Sequence, residues 1–459
     1  MDRFTPSDLA LLATYDQPAP RYATYPRPAR FDEGVSVRDY RQAARASNED
    51  PIPKPLAVHV PFCLRRSYCR DDKDTAPRAQ RADQYLSYLT REIALHAALY
   101  DRDRQVEQLS LGGGMPALFS DAQLADLLGA VHRHFGLRRG RAHDFALQVG
   151  PNGVALKRIA TLAQLGFNRL SVVVHDLDPP VQRAMGHRQD AATLAGLFTA
   201  ARRAHIPTLG VVLSLGLPGQ TLAGLSTTLT TLLALRPERI DLSRYSHRPG
   251  LPGDRQRGAG VVLPTREQRL AMLDMAVSHL EASGYVRVGM AQFVRPDDAL
   301  AVAYREGRLR HDVNGDTEQP DADLIGLGMA AISKVGEGYY QNARELPRYF
   351  ARLDSGELPI WRGHELSADD RLRRDVIQRL LCQGEVDFSA LEKRHRIVFR
   401  NYFAAELIAL ERFIRDGLVV LRRGSLALTR QGWLLANRVA MLFDRELSGL
   451  APVRLQIVR

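Results

Sequence analysis

Two thiols and a crowd of guanidinium groups share one short stretch of this chain. In VHVPFCLRRSYCRDD, Cys63 and Cys69 stand with Arg65, Arg66 and Arg70 between and beside them, and with Asp71 and Asp72 behind. A thiolate is a soft ligand for iron or zinc. A serine hydroxyl such as that of Ser67 is a poor, hard substitute, and the permanently charged guanidinium of Arg70 cannot ligate a metal. A second stretch, Gly112-Gly113-Gly114-Met115-Pro116, follows a predicted strand and precedes a helix with Ser120 as its N-cap. Glycines there let the backbone approach a ligand closely and leave N–H groups to bind it, although a tight turn at a strand end would use the same residues.

What must position these stretches is an alternation of strands and helices. Period-two apolar patterning predicts strands over 56–60, 105–111, 145–149, 169–174, 208–215, 239–244 and 285–288. Helical periodicity falls between them, over 83–100, 121–135, 154–165, 191–205, 222–235 and 266–283. Short turns between alternating elements imply a parallel sheet with helices outside it, as an open doubly wound sheet or as a barrel. Ahead of this lies a short amphipathic piece, 7–13, and a proline-rich segment that cannot be helix or central strand and should lie over another surface. Past residue 297 the pattern loosens. From about 367 two or three helices, a hairpin around Arg423-Gly424 and a final helix over 431–447 have the texture of a winged-helix module.

Composition excludes several classes. With 459 residues, 45% hydrophobic and 25% charged, the chain is an ordinary globular protein with a large core and an appended unit. No apolar run reaches membrane-span length and the N-terminus lacks a signal-peptide pattern, so a cytoplasmic location is expected. Three cysteines are too few for a disulfide framework and fit a reducing compartment. The net charge of +11 comes mostly from scattered arginine pairs. Solvated helix faces account for them more simply than nucleic acid, since 7% aromatic residues offer no stacking platform for bases and 402–418 is dominated by Leu, Ile and Phe. A monomer without nucleic-acid partners is expected.

Ordered segments along nearly the whole chain carry a resemblance. PRYATYP (20–26), VHVPFC (58–63), LSLGGGMP (109–116), GFNRLSV (166–172), GLPGQT (216–221), RPDDALAVA (295–303), GLGMAAIS (326–333), YYQN (339–342), WRG (361–363) and RRDVI (373–377) resemble the radical-SAM oxygen-independent coproporphyrinogen III oxidases. The resemblance implies an α/β fold, a partial (β/α)6 barrel with a C-terminal winged-helix-like helical domain. It divides the chain into an N-terminal arm over the substrate side (1–48), the barrel (49–300), a connecting segment at the substrate cleft (301–366) and the C-terminal domain (367–459). It also implies a [4Fe-4S] cluster held by C-x3-C-x2-C, S-adenosylmethionine, and a porphyrinogen substrate whose propionates could meet Arg21 and Arg295.

Against that family pattern, Cys63 keeps the first cluster position, while Ser67 and Arg70 occupy the second and third. Cys69 stands where an aromatic residue is usual. Gly113, Gly114 and Ile332 are retained at cofactor positions, and Met115 and Ser246 fall on others. Most of the rest have changed type: Ala57 for tyrosine, Gln148 for an acidic residue, Gly150 for aspartate, His175 for glutamine, His187 for arginine and Val212 for aspartate. These changes remove thiolates from the cluster loop and carboxylates from the cofactor pocket, so the cluster and S-adenosylmethionine are expected to bind weakly or not at all. The expectation is a catalytically impaired or inactive homologue that binds porphyrin, porphyrinogen or haem. The alternative is an active oxidase, converting coproporphyrinogen III to protoporphyrinogen IX, with an unconventional [4Fe-4S] site. The gained His175 and His187, with Cys63, Cys69 and His59 expected nearby, could also form a zinc or haem site.

Overall fold

The computed structural model describes residues 5–15, 19–20, 22–61, 78–112, 119–138, 143–150, 154–245 and 262–448. Its centre is a run of parallel strands in chain order: β1 (Leu56–Val60), β2 (Val106–Leu111), β3 (Asp144–Val149), β4 (Arg169–His175), β5 (Thr208–Leu215) and β6 (Arg239–Arg244). Alternation along each strand sorts the side chains. Leu170, Val172 and Val174 of β4, and Leu209, Val211, Leu213 and Leu215 of β5, are buried in one large core with Leu194, Leu197, Phe198, Leu225 and Leu229 of the covering helices. The intervening residues face the concave side, which is the lumen of the partial barrel. Helices Asp121–Phe135, Ala191–Arg203 and Leu222–Ala234 cross between successive strands. Ser120 caps the first of them in a reciprocal capping box with Gln123.

The sheet is larger than the alternation predicts. After β6 come β7 (Val286–Val288) and β8 (Gln292–Val294), antiparallel at one edge, and a hairpin of β9 (Arg310–Asp312) and β10 (Gly315–Thr317). β11 (Asp323–Gly326) then adds in parallel beside β1, followed by antiparallel β12 (Ile332–Val335), β13 (Gly338–Asn342) and β14 (Ile360–Glu365), giving twelve strands. The stretch read as a connecting segment therefore contributes six short strands, four of them to the main sheet, and the Leu346–Asp354 helix. These strands are three to six residues long and glycine-punctuated, too short for periodicity to register. A helix over Val37–Asn48 was also missed, although Ser36 and Asp39 form a capping box that signals its start.

The C-terminal unit has its own core, in which Leu372, Val376, Leu380, Phe399, Phe403 and Phe443 pack with Leu12, Tyr15, Tyr22 and Tyr25 of the N-terminal arm. Its helices include Ala368–Gln383, Phe388–His395 and Ala404–Arg415. Its small sheet runs β15 (Glu385–Asp387), β17 (Ser425–Leu428), β16 (Val419–Leu421), with the expected hairpin formed by the last two. The single final helix expected over 431–447 is instead two short helices, Arg430–Trp433 and Ala436–Ala440, and a 3-10 turn. Gly432 packs so closely that a Cβ there would lie 1.8 Å from the Leu418 carbonyl oxygen. Among the described residues no helix is long and apolar enough to cross a membrane.

Candidate functional site

The lumen is built from alternate residues of the six parallel strands. Gln148 of β3 pairs in register with Ser171 of β4, which pairs with Gly210 of β5, while Val212 lies between Val173 and Asp241. Ala57 and His59 of β1 stand beside Gln108 and Ser110 of β2. Near the strand C-terminal ends, where a parallel α/β sheet presents its ligand sites, Gln148, Val173 and Val212 bring no carboxylate of their own, and Asp241 stands beside Val212.

On the β1 side, His59 Nδ1 lies 2.7 Å from Ser110 Oγ, and that hydroxyl lies 3.2 Å from Asn314 Oδ1 in the β9–β10 turn. Ser110 thus links the imidazole to the β9–β10 turn through its hydroxyl. Burial in the lumen holds the His59 pKa down to about 4, so the ring is neutral at pH 7. The hairpin fills the lumen beneath, where His311 pairs with Asp316 at 2.6 Å and Arg169 with Asp144 at 2.8 Å.

The β4 side holds the two histidines gained in this chain. His175 ends β4 with a left-handed φ of 61°, and a register shift against β5 falls just before it. Its Nδ1 lies 2.9 Å from Ser214 Oγ, and its ring centroid lies 5.4 Å from that of His187. What fixes this corner is Asp176, fully buried. It accepts from Gln220 Nε2 at 2.7 Å, from Thr228 Oγ1 at 2.5 Å and from the Asp178 amide at 2.9 Å. Gln220 also accepts from the Gly216 amide at 2.7 Å. The GLPGQT segment is thus a clamp on the loop after β4, and sequence reading missed both Asp176 and Thr228. The signal available was the segment itself, whose glutamine had no assigned partner.

The structure brings His175 and His187 together but sets His59 apart from them. β1 and β4 are three strand spacings apart, about 14 Å along the sheet, and His59 turns to Ser110 instead. The expected gathering of His59 with that pair therefore does not form. Ile332 begins β12, near the level of Gly326 and His59, and packs beside Phe31, Tyr339 and Leu366. Arg295 lies at the opposite end of the barrel from His175. Its amide donates to Glu238 ahead of β6, and its guanidinium lies 3.4 Å from Asp297. Arg21, Cys63, Ser67, Cys69, Arg70, Gly113, Gly114, Met115 and Ser246 lie outside the described residues. Gly112, the first of the glycine triplet, donates to Val60 at 3.1 Å, so the triplet starts directly beside the end of β1.

The three-cysteine anchorage of a [4Fe-4S] cluster is not matched residue for residue by this donor set. Three thiolates are needed where the sequence supplies a cysteine, a serine and an arginine. Cys382 is 2% exposed in the Ala368–Gln383 helix and packs against Val288, Val294, Leu300, Ala301 and Leu309. Among the described residues no three His, Cys, Asp or Glu side chains converge in a way that could hold a metal ion.

Comparison with known proteins gives a consistent likeness. Residues 60–232 match the radical SAM superfamily, and residues 366–435 match the HemN C-terminal domain. The chain is 37% identical to the oxygen-independent coproporphyrinogen III oxidase of Pseudomonas aeruginosa, covering 96% of each chain. To the Escherichia coli protein of the same name it is 36% identical, over 96% of this chain and 95% of that one. The solved structure of coproporphyrinogen III oxidase (HemN) from Escherichia coli, described there as a radical SAM enzyme, superposes with a TM-score of 0.85 at 35% identity. That superposition covers 93% of this chain and 98% of that one.

Proposed function

This chain belongs to the radical-SAM family of oxygen-independent coproporphyrinogen III oxidases, and from that premise we propose that it is a catalytically inactive homologue acting in haem biosynthesis by binding a tetrapyrrole. Membership by itself points to coproporphyrinogen III oxidase activity. One observation argues against turnover in this copy: the cluster positions read Cys63, Ser67 and Arg70. One thiolate beside a fixed cation leaves an iron–sulfur cube without anchorage. Ala57, Gln148 and Val212 add to this, since none supplies the charged contact expected of a cofactor pocket. The intact scaffold, with near full-length coverage of its relatives, supports a retained cleft for a coproporphyrin-like ligand.

The test has two arms. After reconstitution with iron and sulfide under argon, the protein should show no iron–sulfur absorption and should not cleave S-adenosylmethionine to 5′-deoxyadenosine. Coproporphyrin should meanwhile quench its tryptophan fluorescence saturably without any cluster. A brown protein that cleaves the cosubstrate is instead an active oxidase with unusual ligands, and absence of quenching removes the binding role.

The contact between His175 and His187 favours a second reading, a metal or haem site in place of the lost cofactor. Ser214 orients His175 through Nδ1, as an outer partner does for a ligating imidazole. Metal content of protein purified without oxygen, compared with His175→Ala, His187→Ala and Cys63→Ala, tests it. A stoichiometry far below one in the unmodified protein removes this reading.

A further inference from the structure

On the outer face of the β12–β14 extension, away from the barrel lumen, the Val37–Asn48 and Leu346–Asp354 helices border an open groove of about 630 Å3, with Ile360 and Trp361 of β14 in its lining. Arg38, Arg41 and Arg45 occupy helical positions i, i+3 and i+7, so they form one stripe roughly 10 Å long. All three are exposed and line the groove, and none makes an ion pair among the described residues. Across from them Arg352 is held by Glu357 at 2.8 Å, and Arg348 stands 3.9 Å from Glu33.

Trp361 gathers more positive charge. The Arg348 and Arg362 guanidinium carbons lie 5.4 and 4.6 Å from its ring centroid. Burial, and then the charge of Arg344, hold the Arg362 pKa below its usual value. The indole Nε1 is buried without a hydrogen-bond partner among the described residues. Cations crowded beyond what local carboxylates neutralise repel one another and focus a positive field into the concavity, which is the arrangement that recruits an anionic partner.

We propose that this groove docks an acidic segment of a partner protein. A row of guanidinium groups one turn apart matches carboxylates repeated along a helix or an extended strand better than it matches one small anion. Nucleic acid fits less well. The nearby aromatic ring is already covered by two guanidinium groups, leaving it poorly placed to stack bases, and Glu33 and Glu357 interrupt the path a continuous phosphate backbone would take. Those same two carboxylates suit a protein face that carries an occasional lysine among its acids.

The experiment measures fluorescence anisotropy of a labelled oligo-glutamate peptide against the full chain at moderate salt. One variant carries Arg38→Ala, Arg41→Ala and Arg45→Ala. Its charge-matched control carries Arg415→Ala, Arg422→Ala and Arg423→Ala, all exposed on the C-terminal unit. The groove variant should lose roughly tenfold in affinity and the control less than about twofold, while replacement of the three groove arginines by lysine keeps most of the binding. Arg38, Arg41 and Arg45 are exposed and make no ion pair among the described residues, so the thermal melt should stay unchanged. Equal losses in the two alanine variants, no binding by the unmodified chain, or tighter binding of a DNA oligonucleotide of equal charge each overturns the proposal.

Discussion

His311 and Asp316 face each other across the β9–β10 hairpin, with Nδ1 2.6 Å from Oδ1 and both residues buried. Burial of the ring opposes its charge, yet the hydrogen bond and charge of Asp316, with Asp312 and Asp241 behind it, outweigh burial and raise the His311 pKa. A histidine whose folded pKa exceeds its unfolded value adds stability that is complete below about pH 6.5 and is lost as pH rises through the folded value. Asp316→Asn should therefore cost about 2 kcal/mol at pH 6 and much less at pH 9. Urea midpoints at the two pH values measure this, and a cost that does not change with pH removes the charged pair.

His59 titrates in the opposite sense. Its pKa is held down to about 4 by burial, so the unfolded chain binds its proton more readily than the folded one. Stability from this site is complete above about pH 6.5 and drains away as pH falls toward 4. His59→Gln keeps a hydrogen-bonding group for Ser110 but cannot charge, so the acid limb of the stability curve should become shallower. An imidazole resonance that titrates near pH 6.5 in the folded protein contradicts the assignment.

The parallel half of the sheet was legible because its strands are long and alternate cleanly against amphipathic helices, as Leu170, Val172 and Val174 do between Ser171, Val173 and His175. The antiparallel part was not, since a three-residue strand such as β8 carries no period. Ala57, Gln148, His175, His187 and Val212 were located only through the resemblance, by matching segments of the family pattern, and the structure sets the rings of His175 and His187 5.4 Å apart. Asp176, Thr228 and Glu92 were invisible, because each acts on groups far away in sequence that only the folded chain brings close.

Glu92 illustrates such a hub. With 0% exposure, it accepts from the Gly328 amide at 2.7 Å, from Asn342 Nδ2 at 2.6 Å and from the Tyr349 hydroxyl at 2.6 Å. One carboxylate thus ties the Arg78–Ala97 helix to the loop after β11, to β13 and to the Leu346–Asp354 helix. It also gives a physical reason for the GLGMAAIS and YYQN segments. Glu92→Leu would strand three buried donors and should cost about 3–5 kcal/mol in urea unfolding. Glu92→Gln, which turns an NH2 group toward one of those donors, should cost less but more than about 1 kcal/mol. A leucine variant within about 0.5 kcal/mol of the original shows that the network contributes nothing net.

The sharpest prediction concerns the loop after β1. If the scaffold is intact and only the ligands were lost, replacing the hydroxyl and the guanidinium with thiols should restore what the chain lacks. Ser67→Cys with Arg70→Cys supplies two soft anions beside Cys63 and removes a cation that repels iron. After anaerobic reconstitution the double variant should hold close to one iron–sulfur cluster per chain, read as iron and sulfide content together with visible absorption. Ser67→Cys alone should fall well short, and adding Cys63→Ala to the double variant should abolish uptake. Cleavage of S-adenosylmethionine should stay low even then, because Ala57, Gln148 and Val212 would still offer it no charged partner. An unmodified chain that takes up as much iron and sulfide as the double variant would mean that Ser67 and Arg70 are no obstacle, and the inactive reading would fall with them.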